Sequence, residues 1–146
     1  MPGAILLLAI IPFAILLFAG CEPPPPPPVA AIAVDSMARR FLRTIESRDL
    51  DAIRAPLNAR GKDEVTSLSM ARTFDFFEGG SPTAITLLNA EIADSPLPEP
   101  AERHRLTYRL DLPNARSCYY FFELMIEHGD SVISGFRVEP RQDLAR

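Results

Sequence analysis

Side chains that could act in catalysis or metal binding are few and widely spaced. The chain of 146 residues has two histidines and two cysteines: His104, His128, Cys21 and Cys118. Both histidines lie beside the ends of predicted strands, where we expect them to be solvated. This spacing does not match a zinc ligand set, and Gly79-Gly80 lacks the residues that complete a phosphate-binding loop. We therefore predict no catalytic residue, no metal site and no cofactor.

Cys21 is a candidate for covalent modification, because it follows an apolar segment. Residues 1–20 carry no charged side chain, and from Ala4 to Ala19 they are aliphatic or aromatic apart from one proline. That run is short for a membrane span, which needs about 20 residues, and suits the hydrophobic region of a signal peptide. The small Ala19 and Gly20 would let an extended backbone enter a peptidase, and the sulfur of Cys21 could then be alkylated.

Phe18-Ala19-Gly20-Cys21 resembles the lipobox of bacterial lipoproteins. The resemblance implies a diacylglyceryl group on Cys21, cleavage between Gly20 and Cys21, and acylation of the new N-terminus, for example with palmitate. Phe18 stands where leucine is usual, and no Lys or Arg precedes the apolar run. An uncleaved membrane anchor and an ordinary secretory signal are the alternatives. The implied location is the bacterial cell envelope, facing the periplasm, and Glu22 weakly favours the outer over the inner membrane by analogy with enterobacterial sorting.

The rest of the chain reads as a short linker and one domain. Six prolines, Pro23–Pro28, predict an extended polyproline spacer of roughly 20 Å, so the expected parts are 1–20, 21–28 and 29–146. A formal net charge of −4 gives no electrostatic footprint for nucleic acid. If Cys21 is lipidated, Cys118 has no partner in the chain. It is then a free or intermolecular thiol, or a small buried residue on a strand.

Helical spacing of apolar residues predicts three helices after the linker. The first spans Val29–Ser47, with a stripe at Val34, Met37, Phe41 and Ile45. A short second helix, Leu50–Ala55, has Asp49 as its N-cap. After a loop at Asn58–Gly61, the third spans Asp63–Glu78, with Asp63 as cap and an inward side made of Leu68, Ala71, Phe74 and Phe77.

Alternating patterns then predict four strands: Thr83–Ala93, Arg103–Leu112, Ser117–Glu127 and Ser131–Glu139. The expected inward residues of the second strand are Leu106, Tyr108, Leu110 and Leu112. Those of the third are Cys118, Tyr120, Phe122, Leu124 and Ile126, and those of the fourth are Val132, Phe136 and Val138. Helices followed by antiparallel strands predict an α+β domain with its N-terminal helices packed on a curved sheet.

This element order, with Ser47-Arg48-Asp49-Leu50-Asp51-Ala52-Ile53 opening the second helix, resembles the nuclear-transport-factor-two-like superfamily. The resemblance implies the cone-shaped, cystatin-like α+β fold. It also implies a pocket between the helices and the sheet, lined by some of Phe41, Phe74, Tyr108, Tyr120, Phe122 and Phe136. The alternative is that these rings simply fill the core, since the inward sets contain no acid and no histidine.

The opposite side of the third strand carries Tyr119, Phe121 and Met125, which we expect to form an interface. The partner would be a second copy or another envelope protein. The sequence thus favours a lipid-anchored, non-catalytic protein of interaction or assembly type. The alternative is a small-molecule-binding protein or a cone-fold isomerase or dehydratase.

Overall fold

The computed structural model describes residues 29–94 and 101–141. The helices are α1 (Val29–Glu46), α2 (Leu50–Arg54), α3 (Ala59–Glu64) and α4 (Ser67–Phe76). The strands are β1 (Ala84–Asp94), β2 (Ala101–Asp111), β3 (Ser117–Glu127) and β4 (Asp130–Pro140), with a short 3₁₀ turn at Pro113–Ala115. The signal peptide, Cys21 and the polyproline linker lie outside the described residues.

The four strands form one antiparallel sheet in the order β1-β2-β3-β4. The helices lie on one face, which we call the inner face, and the opposite face is the outer face. The predicted α+β class, with helices packed on an antiparallel sheet, is confirmed. All four predicted strands are present within two residues of their expected ends.

The inner face and α1 together make the core. The predicted α1 stripe is buried at Val34, Phe41 and Ile45, and Met37 packs against it as a partly buried residue. The predicted inward residues of β2 are all buried. Those of β3 are buried as far as Leu124, with Ile126 partly buried. The strict alternation of β2 and β3 therefore predicted their orientation correctly.

The helical region between α2 and α4 differs from the prediction. Asp49 does cap α2, since its carboxylate accepts hydrogen bonds from the backbone of Asp51 and Ala52. The loop predicted at Asn58–Gly61 is wrong, because the Asn58 side chain accepts from the Gly61 N–H at 2.8 Å and starts α3. Asparagine is a good N-cap, so a helix could have been read there.

The predicted start of the last helix at Asp63 is also wrong. Thr66 and Ser69 form a reciprocal capping box that starts α4 at Ser67. This start changes which side chains turn inward: Leu68 is 88% exposed, whereas Met70 is buried. Ala71 is exposed as well, so only Phe74 and Phe77 of the predicted inward side contact the core.

A β-bulge in β4 changes the orientation of one predicted inward residue. Glu123 pairs with Gly135 but Leu124 pairs with Ile133, so Ser134 is an extra residue in the ladder. As a result Ile133 is buried on the inner face, and Val132 lies opposite Met125 on the outer face. The predicted inward orientation of Val132 is wrong for this reason, while Phe136 and Val138, beyond the bulge, do face inward.

Candidate functional site

The six aromatic residues predicted to line a pocket lie together on the inner face. Phe41, Tyr108, Tyr120 and Phe122 are buried, and Phe74 and Phe136 are partly buried against the same core. The Phe41 ring lies 5.0 Å from that of Phe136 and 6.1 Å from that of Phe122. These are ordinary packing distances between rings. The arrangement fits a filled core, and a pocket role for these residues stays a prediction.

The Tyr108 hydroxyl is bound by an acid that the sequence interpretation missed. Tyr108 donates to the Asp35 carboxylate at 2.8 Å, and Arg39 donates to both oxygens of Asp35 at 2.9 and 3.1 Å. Burial, together with this hydrogen bond and the Asp35 charge, raises the pKa of Tyr108 above its usual range. The signal available in the sequence was Asp35 at i, i+4 from Arg39. Its alignment with Tyr108 depends on how α1 crosses the sheet.

The Tyr120 hydroxyl is also committed to the fold. It donates to the Ala38 carbonyl of α1 at 3.1 Å, and its ring stacks on Tyr108 with 5.6 Å between centroids. Burial, and to a lesser degree the neighbouring Tyr108, raises the pKa of Tyr120 well above its usual value. Both tyrosines thus join α1 to the sheet, and neither hydroxyl proton is offered to a ligand in this arrangement.

His104 is buried, so its predicted solvation is wrong. It is only 2% exposed, because it lies on the inner face of β2 in the same alternation as Leu106 and Tyr108. Its Nε2 lies 3.2 Å from a carboxylate oxygen of Glu102. The predicted strand, Arg103–Leu112, already contained His104, and the alternation that turns Leu106 and Tyr108 inward extends to it. His128 is exposed in the β3–β4 turn, as predicted.

Cys118 is fully buried and free. Burial raises the pKa of its thiol to about 11, although the nearby Arg116 charge acts in the opposite direction. The residue is therefore a neutral thiol at physiological pH. Of the two alternatives left by the sequence, the structure places Cys118 as a small buried residue on a strand.

On the outer face, the predicted interface residues form what we call the outer patch: Tyr119, Phe121 and Met125. All three are half-buried. The Tyr119 and Phe121 rings lie 6.4 Å apart, and the Arg137 guanidinium of β4 lies 4.3 Å above the centre of the Phe121 ring. This cation–π contact keeps the aromatic surface beside a positive charge.

Glu123 is the centre of a charged network beside the outer patch. Its carboxylate accepts from Arg105 Nε at 2.9 Å and from the Ser134 hydroxyl at 2.9 Å, and Arg103 Nε lies 3.8 Å away. Burial alone would raise the pKa of Glu123. The hydrogen bonds from Arg105 and Ser134 and the charges of the two arginines outweigh burial, so its pKa is lowered.

Two arginines of the outer face have incomplete hydrogen bonding. Among the described residues, the buried Nε atoms of Arg103 and Arg109 have no acceptor in hydrogen-bonding geometry. Each lies near one carboxylate, Arg103 at 3.8 Å from Glu123 and Arg109 at 3.3 Å from Asp111. A buried donor without a partner is unfavourable, and because these Nε atoms are inaccessible from outside, an external acceptor could reach them only if the side chains moved.

The outer face carries a trough of about 470 Å³, which Leu106, Phe122 and Phe136 also border. Each strand contributes side chains to it: Asn89 and Glu91, Arg105 and Thr107, Phe121 and Glu123, and Arg137. Within residues 29–94 and 101–141, no group of His, Cys, Asp or Glu side chains is arranged to hold a metal ion. Across the same residues, no helix is long and apolar enough to cross a membrane.

Comparisons with known proteins add little to this geometry. No protein-family model matches the chain, and no curated protein matches it. A solved structure, described as the 1.8 Å structure of Aln2 from a Streptomyces species, is similar at 12% identity. The match covers 79% of this chain and 93% of that chain with a TM-score of 0.48. A TM-score below 0.5 carries no argument about family or function, so the α+β fold rests on the described elements alone.

Proposed function

We propose that this chain is a lipid-anchored protein of the bacterial cell envelope that has no catalytic role and binds a protein through its outer face. The proposal rests on two parts of the chain. The lipobox-like sequence ending at Cys21 supports the anchor, and the outer face supports the interaction. We also propose that the domain belongs to the cone-shaped superfamily, because its helices precede its antiparallel strands in the same order.

The observation that carries the interaction is the composition of the outer face. Half-buried aromatic side chains at Tyr119 and Phe121 lie beside arginines, among them Arg137, whose guanidinium stacks over the Phe121 ring and is partly exposed. Tyrosine and arginine are among the residues most enriched where proteins bind each other strongly. A partner with carboxylate or carbonyl oxygens at this face could bind the exposed guanidinium groups of Arg105 and Arg137, whose side chains are 50% and 63% exposed. A second copy of this chain meets that requirement, because the same face also carries Glu123 and Glu139.

A small-molecule-binding or isomerase-like function is less well supported. The tyrosines that would act on a ligand are bonded to Asp35 and to the Ala38 carbonyl. General acid–base chemistry needs a group whose proton can reach a ligand, and these hydroxyl protons are directed at the protein itself. We therefore keep the interaction function as the proposal.

The interaction is tested by Phe121→Glu. A carboxylate in place of the ring removes the aromatic contact and repels the neighbouring Glu123, so we expect loss of self-association or of the bound partner. Sedimentation of the purified protein measures self-association, and analysis of co-purifying proteins detects a bound partner. Leu68→Glu on α4 is the matched control, because Leu68 is exposed and lies away from the outer face. Unchanged association in Phe121→Glu would refute the proposed interface.

The anchor is tested by counting thiols in the full chain purified from membranes. Because Cys118 is buried with a raised pKa, we expect no reaction with a thiol reagent in the folded protein. After denaturation we expect one reactive thiol if the Cys21 sulfur is alkylated. Two reactive thiols would show that Cys21 is unmodified and would exclude lipidation.

A further inference from the structure

The free edge of β4, at the end of the sheet opposite β1, is only partly covered. The Ile133 N–H donates to the Pro56 carbonyl at 3.2 Å, and the Ile133 carbonyl accepts from the Asn58 N–H at 3.0 Å. Between these two bonds, Leu57 forms an isolated parallel bridge with Ile133. The segment Pro56–Asn58 is therefore the beginning of a fifth strand, which stops because Asn58 starts α3.

Beyond Ile133 the edge has backbone groups that nothing outside the sheet binds. The Arg141 N–H donates to the Ser117 carbonyl of β3 at 3.5 Å. Bonding directions alternate along an antiparallel strand, so every second residue before Arg141 turns its backbone groups toward β3. The residues between them, which include Phe136 and Val138, turn theirs to the free edge. Among the described residues, no backbone group outside the sheet bonds to these two.

A cleft of about 410 Å³ runs along this open edge, between β4 and the helices α3 and α4. Six consecutive residues of β4, Ser134–Glu139, line one side of it. Because neighbouring residues of a strand belong to opposite faces, the cleft follows the edge of the strand. The other side includes the buried Val65 and Met70 and the polar Ser69 and Thr73. We call this cleft the edge slot.

The charges that line the edge slot leave one arginine unbalanced. Glu64 is paired with Arg60 at 2.7 Å. Arg137 is paired with Glu139 at 3.2 Å. Arg72 of α4 is exposed, and within the described part of the chain its side chain forms no ion pair or hydrogen bond. An acidic side chain brought into the slot would complete this pairing, and such a pair adds selectivity more than affinity.

We propose that the edge slot binds an extended peptide segment of a partner protein, which joins the sheet as a strand beside β4. The free backbone groups of Phe136 and Val138 bond to the main chain of the peptide and continue the row that Pro56–Asn58 begins. Main-chain bonds give affinity in this mode of recognition, and alternate side chains give specificity. The peptide side chains that face α4 meet Met70 and Arg72, so the fitting peptide has an apolar and an acidic residue on one side.

A second copy of the chain fits the edge slot less well. Among the described strands, β1 has the other free edge of the sheet, and a bulge between Leu87 and Asn89 interrupts it. Pairing β1 of one copy with β4 of the next joins chains head to tail, which forms rings or open fibres. The inference does not rest on the outer-face interaction, because the bonds it uses lie on the strand edge.

The test begins with a phage library of random peptides selected on the full chain. Thr73→Trp is the blocked variant, because Thr73 lines the edge slot and an indole ring would fill it. We expect selected peptides with alternating apolar residues and an acid, which bind Thr73→Trp about tenfold or more weakly than the native chain. No selected peptide, or peptides that bind both chains equally, would overturn the proposal.

Two methylated forms of a selected peptide test strand addition itself. One form has N-methyl groups on every second backbone nitrogen, and the other has them on the remaining nitrogens. In an added strand only one of these sets faces β4, so one form should keep its affinity and the other should lose about tenfold or more. Equal affinities of the two forms would show that the peptide does not pair as a strand and would overturn the proposal.

The charge preference is tested by Arg72→Glu, with Arg43→Glu as the matched control. Arg43 is exposed on α1, and its side chain likewise forms no ion pair among the described residues. We expect Arg72→Glu to weaken the acidic peptide by about fivefold and to favour a peptide with lysine in place of the acid. Arg43→Glu should change neither.

Phe121→Glu separates the edge slot from the outer patch. Peptide binding should survive this substitution, because Phe121 lies on the outer face. Binding that is lost in Phe121→Glu but kept in Thr73→Trp would assign the peptide to the outer patch and overturn the slot. Oligomers of the native chain that Thr73→Trp abolishes would assign the edge to a second copy and overturn the peptide partner.

Discussion

At the scale of single residues, the bond between Tyr108 and Asp35 is what joins the start of α1 to the sheet. Tyr108→Phe removes the donor and leaves a buried ring of nearly the same shape. We expect a loss of about 1–2 kcal/mol in the free energy of unfolding, since the lost bond is to a charged acceptor. Urea titration measures the loss. Tyr119→Phe on the outer face should change stability by less than about 0.5 kcal/mol. Equal effects of the two variants would show that the Tyr108 hydroxyl has no such structural role.

Glu123 makes stability depend on pH in a defined direction. Its pKa is lower in the folded protein than the ordinary value of 4.5, so the folded state favours its ionised form. The stabilisation is therefore fully present above pH 4.5 and is lost as the pH falls through the lowered pKa. We expect the stability difference between the native chain and Glu123→Gln to shrink over this acidic range.

Ser134→Ala provides the control for that measurement. It removes one of the two hydrogen bonds that hold the Glu123 pKa down, while the Arg105 bond and the arginine charges remain. Denaturant titrations at several acidic pH values should show a weaker pH dependence than in the native chain. A native chain whose stability difference from Glu123→Gln does not change with pH would contradict the proposed network.

The sequence predicted some of these residues and missed others, for a physical reason. The inward orientation of Tyr108, Tyr120 and Cys118 follows from alternation along a regular strand, which is a local property. The partner of Tyr108 is 73 positions away in Asp35, and the choice of that partner depends on the angle at which α1 crosses the sheet. No local pattern contains that angle.

At the scale of elements, the β4 bulge decides which side chain enters the core. Ile133→Ala should destabilise the fold by about 2–5 kcal/mol, because Ile133 is only 2% exposed and its removal leaves a cavity. Val132→Ala, at the neighbouring position on the outer face, should cost under about 1 kcal/mol. Thermal or urea unfolding compares the two variants. A larger effect at Val132 would mean that the strand pairs in the unbulged register.

The elements that were predicted well are those with strong local signals. Strands β2 and β3 alternate without interruption, and α1 has a long apolar stripe. The bulges at Leu88 and Ser134 add one residue to the period of two, so a single alternation read from the sequence can be correct on only one side of each bulge, as Val132 shows. The short helix α3 has no buried residue, and its apolar pattern gave no reason to expect a helix. Only its cap, Asn58, marks the start.

At the scale of the whole molecule, the two faces of the sheet have separate tasks in this account. The inner face is filled by aromatic and aliphatic side chains and holds the helices, except along β1. The outer face has a trough, half-buried rings and partly exposed arginines. A protein tethered through Cys21 would use the first face for stability and the second for recognition. The α+β class could be predicted from the order of elements, whereas the trough could not, because its lining comes from all four strands and depends on how they pair.

The most direct test of the central claim is site-specific photocrosslinking in cells that produce the protein. p-Benzoylphenylalanine is placed at Phe121 in the outer patch and, in a separate chain, at the exposed Leu68 of α4. The account predicts one discrete crosslinked species in the membrane fraction from position 121 and none from position 68. No adduct at position 121, or the same adducts at both positions, would contradict recognition through the outer face.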